Sequence, residues 1–223
     1  MSSKHYLLFF PLMACFLFSF KSAPKCTRVV FFGDSITEAG VLPGGYIAQM
    51  RDTLKAQGKN KRYELMGAGI GGNKVYDLYL RLEEDVLARK PDVVVIYVGV
   101  NDVWHRQMFG TGTDADKFQK FYVALIQKFQ KKGIRVIACT PACIGEKPRG
   151  QNLMDGELDR FSAIIRNVAS EKNVPLCDFR TAFTGFSDKN NPDQRESGLL
   201  TTDGVHLNDQ GNKLVAEMLL KQL

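Results

Sequence analysis

The chain has 223 residues, a length that suits one α/β domain with its own core. Hydrophobic residues make up 44% and charged residues 24%, proportions that exclude a disordered, collagen-like or multi-span membrane protein. The formal net charge is only +6, and the basic cluster at residues 59–62 is typical of a solvated turn. Nucleic acid is therefore not an expected partner.

The N-terminal residues differ in composition from the rest of the chain. Lys4 precedes an apolar stretch over residues 6–20, and Lys21 closes it, which is the pattern of an export signal. The stretch is short for a membrane-spanning helix of about 20 residues. We therefore predict an export signal or N-terminal anchor over residues 1–23 and a single domain over residues 24–223.

The processing of this segment is left open by the sequence. Residues 12–15 (LMAC) are similar to a bacterial lipoprotein box, which would place a lipid on Cys15, although apolar residues follow where a polar tether is normal. Ala23 is small, but Lys21 and Pro24 make a poor cleavage site. The sequence predicts a periplasmic, extracellular or surface-anchored protein, with membrane contact only through such an anchor.

Beyond that segment, strand-like runs alternate with helical patterns. Apolar, often β-branched runs predict strands over residues 28–32, 62–66, 92–98, 134–140 and 174–179. Apolar residues at helical spacing predict helices around 46–54, 75–87, 118–129, 158–168 and 208–219, the last capped by Asn208. The polar segment 181–202 is expected to be irregular. The alternation predicts a three-layer α/β/α domain with a five-stranded parallel sheet, for which we expect the flavodoxin-like strand order 2-1-3-4-5.

The five cysteines show no C-x-x-C spacing, so zinc or thioredoxin-like chemistry is not expected. Cys139 and Cys177 lie in apolar strand-like runs, where a buried free thiol is the ordinary state. A bridge that involves Cys26, or one between Cys139 and Cys143, stays open for an exported protein.

The residues that follow each strand are the place to look for chemistry, because parallel sheets bind ligands beyond the carboxyl ends of their strands. The segments there are rich in Gly, Asp, Asn and Ser. They are 33–37 (GDSIT), 67–73 (GAGIGGN) and 99–102 (GVND), and before the last helix comes 202–207 (TDGVHL).

These segments together resemble the four blocks of the SGNH/GDSL hydrolases, in the order of that family and over almost the whole mature chain. The resemblance implies the SGNH hydrolase fold and a carboxylic ester hydrolase with Ser35 as nucleophile, Asp203 and His206 as its partners, and no cofactor. It also aligns the family's oxyanion glycine with Gly72, although the adjacent Gly71 leaves an ambiguity of one residue.

The same pair follows from chemistry, since a serine hydroxyl needs a neighbouring base to become a nucleophile. Of the three histidines, His5 lies in the predicted signal, which leaves His206 and His105. Asp203 precedes His206 by three residues, close enough for its carboxylate to orient the imidazole. We therefore favour His206 over His105, which has only Asp102 nearby in sequence.

An acyl transfer also needs hydrogen-bond donors for the oxyanion, and the expected ones are the backbone N–H groups of Ser35 and Gly72 and the amide of Asn101. In the predicted strand order, Gly72 and Asn101 would flank Ser35. Trp104 and His105 follow in the loop after the third strand and are candidates for substrate binding. Asp34 and Glu38 are expected to form only local hydrogen bonds.

Two rival motifs are weaker. Residues 67–72 match G-x-G-x-x-G, but they follow the second strand and no acidic residue ends the next one, so nucleotide binding is not expected. G-x-S-x-G, the nucleophile elbow of α/β-hydrolases, is absent. No acid or histidine spacing indicates a metal site.

The substrate is the least determined feature. Since no lid insertion is evident, we expect a small-molecule or polysaccharide ester, with acetyl esters of carbohydrates as the first hypothesis. A lysophospholipase or other lipid acylhydrolase is the second, and a non-catalytic flavodoxin-like binding module is the third.

Overall fold

The structure is a computed structural model that describes residues 1–2 and 26–223, so the apolar stretch 6–20 and the lipoprotein-like Cys15 lie outside the described residues. The described part of the chain forms a five-stranded parallel sheet with strand order β2-β1-β3-β4-β5. The strands are β1 (Thr27–Gly33), β2 (Tyr63–Gly69), β3 (Val93–Tyr97), β4 (Arg135–Cys139) and β5 (Leu176–Cys177). The predicted fold class and strand order are confirmed, although the predicted fifth strand, 174–179, is much shorter.

Helices connect the strands and cover both faces of the sheet. They are α1 (Ser35–Ala39), α2 (Tyr46–Ala56), α3 (Val75–Asp85), α4 (Val100–Phe109), α5 (Ala115–Lys131), α6 (Asp155–Glu171), α7 (Phe179–Asn190) and α8 (Asp209–Leu220), with a short 3₁₀ helix at Leu87–Arg89. Within residues 1–2 and 26–223, no helix is long and apolar enough to cross a membrane.

The two faces of the sheet carry separate hydrophobic clusters. Val30 and Phe32 of β1 pack with α3, α5 and α6, whereas Val29 and Phe31 pack with α2, α7 and α8. All four side chains are fully buried. Because successive side chains of a strand point to opposite faces, a strand that is covered on both sides must be apolar throughout. This explains the continuous apolar runs of the central strands.

Strand β2 forms one edge of the sheet, and arginine side chains cover part of that edge. The guanidinium of Arg51 on α2 donates to the carbonyl oxygen of Leu65 at 2.7 Å. Arg89 donates in the same way to the carbonyl oxygen of Gly67 at 2.8 Å. Two alternate carbonyls of the strand are therefore occupied by charged donors.

The segment predicted to be irregular, 181–202, is helical in its first part, where α7 runs. Hydrophobic periodicity is weak here because polar residues share the buried face of this helix with Phe179 and Phe183; they are Arg180, Thr184 and Ser187. The Arg180 guanidinium donates to Asp155 at 2.7 Å and to Asp159 at 2.6 Å. An arginine can be buried only when it is paired in this way, and hydrophobic periodicity does not detect such a face.

Helix α4 is a second correction, since Trp104 and His105 were expected in a loop and instead lie on this helix. Its first turn buries Asn101 and Asp102 together with Val100 and Val103, so the buried face does not stand out as an apolar period in the sequence. Helix α1, only five residues long, is too short to show a period at all.

The four cysteines in the described part of the chain are free thiols, so the bridges left open above do not occur in this structure. Cys139 and Cys177 are buried neighbours on β4 and β5, in agreement with their predicted state. Burial, reinforced by a contact with Cys177, raises the pKa of Cys139 well above its ordinary value, so this thiol stays protonated. Cys143 is also buried, and Cys26 is exposed.

Candidate active site

Ser35 lies at the first position of α1, directly beyond the carboxyl end of β1. Asp34 caps this short helix, because its carboxylate accepts a hydrogen bond from the N–H of Ile36 at 3.0 Å. A side chain at Gly33 would collide with the carbonyl oxygen of Tyr97, so glycine is required where the strand turns into the helix. The turn presents Ser35 at the edge of the sheet where ligands bind.

His206 and Asp203 complete a hydrogen-bonded chain with this serine. The Oγ of Ser35 lies 3.0 Å from Nε2 of His206, and Nδ1 of His206 lies 2.7 Å from Oδ2 of Asp203. An ionised carboxylate can only accept, so Nδ1 carries the proton and Nε2 is left as the acceptor for the serine hydroxyl. This tautomer is the one that a general base requires.

Asp203 is held in its ionised form by several donors. Partial burial opposes its ionisation, but hydrogen bonds from the His206 ring and from the backbone N–H groups of His206 and Val205 outweigh that effect and lower the pKa of the carboxyl. The backbone donors lie 2.7 and 2.9 Å from Oδ1. The carboxylate therefore binds the backbone through one oxygen and the imidazole through the other.

The loop that carries this pair is held by a buried carboxylate, Glu146. Its oxygens accept hydrogen bonds from the N–H groups of Leu199, Leu200 and Thr201 at 2.7, 2.6 and 2.7 Å. Glu146 is only 2% exposed. The sequence analysis missed this residue, and no local pattern could have shown it, because its partners lie 53 to 55 residues away along the chain.

The glycine-rich turn after β2 contains the two glycines, Gly71 and Gly72, between which the sequence left the expected oxyanion donor open. The N–H of Gly71 donates to the carboxylate of Glu38 at 2.9 Å, so it is already engaged. The N–H of Gly72 has no hydrogen-bond partner within the described part of the chain, and the residue has a positive φ of 75°. This difference favours Gly72 over Gly71 as the donor, and it gives Glu38 a role beyond the local contact expected for it.

Asn101 lies on the other side of Ser35, in the first turn of α4. Its side-chain amide donates one hydrogen bond to the carbonyl oxygen of Asn73 at 3.2 Å. A primary amide has two N–H donors, so one orients the side chain and the second is available to a ligand. The N–H of Ser35, at the first position of its helix, has no carbonyl partner from a preceding helical turn.

Two buried carboxyl groups lie beneath these residues. Burial, partly offset by the hydrogen bond from Ile36, raises the pKa of Asp34 to about 7. Burial likewise raises the pKa of Asp102 to about 7, against hydrogen bonding that favours the charged form. Asp102 accepts from the N–H of Val75 at 3.2 Å and so joins the first turn of α4 to the start of α3.

Trp104 and His105 both lie beside the site. The ring of Trp104 is 6.4 Å from that of His206, edge to face. His105 lies next to Gly72, where an added Cβ would be 3.6 Å from its Cε1. Partial burial and the nearby Lys74 lower the pKa of His105. No carboxylate contacts its ring among the residues that the structure describes, which leaves His206 as the candidate base.

The structure thus brings Ser35, Asp203 and His206 together, and Gly72 and Asn101 follow the two strands that flank β1. A hydroxyl with an adjacent base and free N–H donors can support acyl transfer through a covalent intermediate. Across the described residues, no group of three or more His, Cys, Asp or Glu side chains is arranged to hold a metal ion.

Comparison with known proteins points to the same chemistry. The model of the GDSL-like lipase/acylhydrolase family matches residues 31–214. An acetylxylan esterase from Geobacillus stearothermophilus is 28% identical over 211 residues, covering 88% of this chain and 93% of that protein. The lipoprotein YqeF from Bacillus subtilis (strain 168) is 26% identical and covers 96% of both chains.

A solved structure is more similar in sequence. The crystal structure of the acetyl xylan esterase AlAXEase is 57% identical to this chain, with a TM-score of 0.87. The match covers 88% of this chain and 99% of that one.

Proposed function

Since this chain belongs to the GDSL-like lipase/acylhydrolase family, we propose that it is an exported serine esterase that removes acetyl groups from carbohydrates. The observation that carries the proposal is the hydrogen-bonded chain from Ser35 through His206 to Asp203, with distances of 3.0 and 2.7 Å. A non-catalytic binding module has no need for a hydroxyl, a base and a carboxylate in this order.

In the proposed reaction, Oγ of Ser35 attacks the ester carbonyl carbon while Nε2 of His206 takes its proton. The carbonyl oxygen becomes an oxyanion and is stabilised by the N–H groups of Ser35 and Gly72 and by the amide of Asn101. The imidazolium that forms is stabilised by the ionised Asp203.

The tetrahedral intermediate then collapses. The bond between the acyl carbon and the sugar oxygen breaks, and His206 returns its proton to that oxygen, which leaves as a hydroxyl. A water molecule then attacks the acetyl-Ser35 ester and gives its proton to Nε2 of His206. The bond between the acyl carbon and Oγ breaks, His206 returns the proton to Oγ, and acetate leaves the regenerated serine. Apart from the ester and the water molecule, each step uses only the side chains and backbone donors described above.

A covalent probe tests the serine mechanism. A fluorophosphonate should label the protein at Ser35, and labelling should disappear in Ser35→Ala. Ser162→Ala is the matched control and should be labelled like the wild-type protein. The hydroxyl of Ser162 is buried and donates to the carbonyl oxygen of Leu158 at 2.8 Å. Labelling that persists in Ser35→Ala, or an absence of labelling in the wild-type protein, would contradict the assignment.

The acyl group is tested with p-nitrophenyl esters from acetate to laurate, together with acetate release from acetylated xylan. The proposal predicts the highest kcat/KM for p-nitrophenyl acetate and measurable release from the polysaccharide. A maximum at long acyl chains would instead support the lipid acylhydrolase that the sequence analysis held as its second hypothesis.

Export is supported by the composition of residues 1–23 and by the likeness to a lipoprotein of similar length. Expression of the full chain in a bacterial host, with radiolabelled palmitate and a Cys15→Ser variant, distinguishes the two forms of export. Label that depends on Cys15 indicates a lipid anchor, and unlabelled protein in the periplasm or medium indicates a cleaved signal. Retention of the intact chain in the cytoplasm would contradict the proposal.

A further inference from the structure

A cavity of about 430 Å³ borders the candidate active site. Its walls come from Trp104 of α4, from the segment after β4 and from the loop that carries Asp203. The lining residues beside Trp104 are 144, 145, 147, 151–154, 196, 203 and 205. Its volume falls in the usual range for small-molecule sites, about 300–1,000 Å³. None of the steps described above assigns it a role.

The position of the cavity indicates which part of the ester it would hold. Asp203 and Trp104 both line it. Asp203 lies 2.7 Å from Nδ1 of His206, and the ring centroid of Trp104 lies 6.4 Å from that of His206. The imidazole must protonate the leaving oxygen, so the alcohol part of the substrate lies on the imidazole side. The carbonyl oxygen is directed elsewhere, towards the oxyanion donors that follow β1, β2 and β3.

The walls combine a flat aromatic ring with polar side chains. Trp104 is half-buried and can stack on the C–H face of a pyranose ring. Lys147 and Glu196 form an ion pair on the wall, which offers both donors and acceptors. Covering this pair with an acyl chain would remove water from two charges without replacing its hydrogen bonds, whereas sugar hydroxyls would replace them.

Gln151 and Asn152 have different roles in this wall: Asn152 holds its shape, whereas Gln151 is available to a ligand. The amide of Asn152 bonds the backbone N–H and carbonyl of Lys147, both at 3.0 Å, and so shapes this wall. The side-chain amide of Gln151 is exposed and has no hydrogen-bond partner in the described part of the chain. An amide that lines a cavity and is not engaged can both donate to and accept from a hydroxyl.

We propose that this cavity is the subsite for the sugar ring that carries the acetyl ester, with Trp104 as the stacking surface and Gln151 and the Lys147–Glu196 pair as hydroxyl partners. The inference rests on the proposed esterase function and adds to it the location of the alcohol. It predicts a preference for esters of hydroxyl-rich rings over esters of simple alcohols.

Binding can be measured without turnover, because Trp104 is the single tryptophan of the chain. In Ser35→Ala, titration with xylotriose should produce a saturable change in tryptophan emission. Adding Gln151→Ala should raise the dissociation constant about fivefold to tenfold, the effect of one lost hydrogen bond. Adding Gln127→Ala, an exposed glutamine on α5, should leave the constant unchanged.

Kinetics provide the second readout. In Gln151→Ala, the ratio of kcat/KM for acetylated xylotriose to that for p-nitrophenyl acetate should fall about fivefold to tenfold. Gln127→Ala should leave this ratio at its wild-type value. Unfolding midpoints of both variants should match the wild-type midpoint, since neither glutamine side chain is buried.

The outcomes separate the two proposals. Emission that does not respond to xylotriose, or kcat/KM values that fall equally for both substrates in Gln151→Ala, would overturn the sugar subsite. If Gln151→Ala instead changes which acyl length of the p-nitrophenyl esters is hydrolysed fastest, the cavity holds the acyl group. A wild-type protein that binds xylotriose but hydrolyses neither ester would leave the subsite in place and overturn the esterase.

Discussion

Ser35, Gly72 and Asn101 lie beyond the ends of three adjacent strands, whereas Asp203 and His206 lie on a loop outside the sheet. The hydrogen-bonded register of β1, β2 and β3 sets the spacing of the first group. The second group depends on side chains that reach the loop from elsewhere, above all the buried Glu146. We call these the sheet half and the loop half of the active site.

The difference shows two ways to hold a reacting group within reach of its partner. The sheet half is supported by many backbone hydrogen bonds, so the loss of one contact leaves the others in place. The loop half has some backbone hydrogen bonds of its own, such as that from the N–H of Thr202 to the carbonyl oxygen of His206. Three successive N–H groups beside it, however, depend on a single buried carboxylate. A change remote from the chemistry is therefore expected to disturb the loop half more than the sheet half.

The largest effect is expected when one reacting side chain is removed from either half of the site. Ser35→Ala and His206→Ala should each lower kcat for p-nitrophenyl acetate by about 10⁴- to 10⁶-fold, because nucleophile and base act as one unit. The double variant should lose little more than either single one. Losses that multiply in the double variant would show that the two residues act separately.

The next effect concerns the sheet half alone. Asn101→Ala should lower kcat about 10²- to 10³-fold with little change in KM, since the amide is needed for the oxyanion rather than for the ground state. Asn167→Ala, at an exposed position on α6, is the matched control and should retain wild-type kinetics. An Asn101→Ala enzyme with undiminished kcat would remove this residue from the proposed mechanism.

A change in the support of the loop half should have a smaller effect. Glu146→Gln places an amide N–H₂ where one carboxylate oxygen accepts a backbone N–H, so the loop must shift. A displacement of about 1 Å can cost up to about 10²-fold in rate, and we expect kcat to fall about 10- to 10²-fold. Steady-state kinetics with p-nitrophenyl acetate measure the change.

Two measurements show whether Glu146 acts by positioning. The fraction of kcat that is lost should be larger than the fraction of protein that is unfolded at the assay temperature, and KM should stay nearly constant. The rate of fluorophosphonate labelling should fall by a similar factor. Glu171→Gln, at the exposed end of α6, provides the comparison. If activity follows the unfolded fraction alone, Glu146 supports the fold and has no positioning role.

The last expected effect is on the pH dependence of stability and not on the rate of the reaction. The pKa of Asp102 is about 7 in the folded chain, above its ordinary value of 3.8, so the folded state holds a proton that the unfolded state loses. The contribution of this group to the free energy of unfolding is fully present below pH 3.8 and is lost as the pH rises through about 7. Asp203, with a lowered pKa, acts in the opposite direction.

Urea unfolding of the wild-type protein and of Asp102→Asn across this pH range measures the effect. The variant should lack a decline of up to about 1.4 kcal/mol per pH unit, the linkage of one proton. The amide can still accept from the N–H of Val75, so the contact between α3 and α4 is preserved. Parallel curves for the two proteins would show that folding does not raise the pKa of this carboxyl.

The sequence predicted the sheet well because burial on both faces leaves a simple signal. The strands β1 and β3 are continuous apolar runs, and the crossover helices α2, α3 and α5 show apolar residues at helical spacing. The sequence failed for α4 and α7, where paired or hydrogen-bonded polar side chains such as Arg180 occupy the buried face. A hydrophobic pattern cannot distinguish a buried polar residue with partners from an exposed one.

For the site, the sequence predicted which residues meet but not what supports them. Ser35, Asp203 and His206 belong to short motifs whose chemistry limits the alternatives, and the structure brings them together. Glu146 has no such motif, and its partners are distant along the chain. The choice between Gly71 and Gly72 needed the contact of Glu38, which only the folded turn provides.

The arginines along β2 have a consequence for crowded solutions. An outer strand with unpaired carbonyls can pair with a strand of a second molecule and begin aggregation. At Leu65 and Gly67 the guanidinium groups of Arg51 and Arg89 already occupy that side, and arginine keeps its charge at any pH at which the protein is folded. Neighbouring molecules would therefore meet positive charge where they would otherwise extend the sheet.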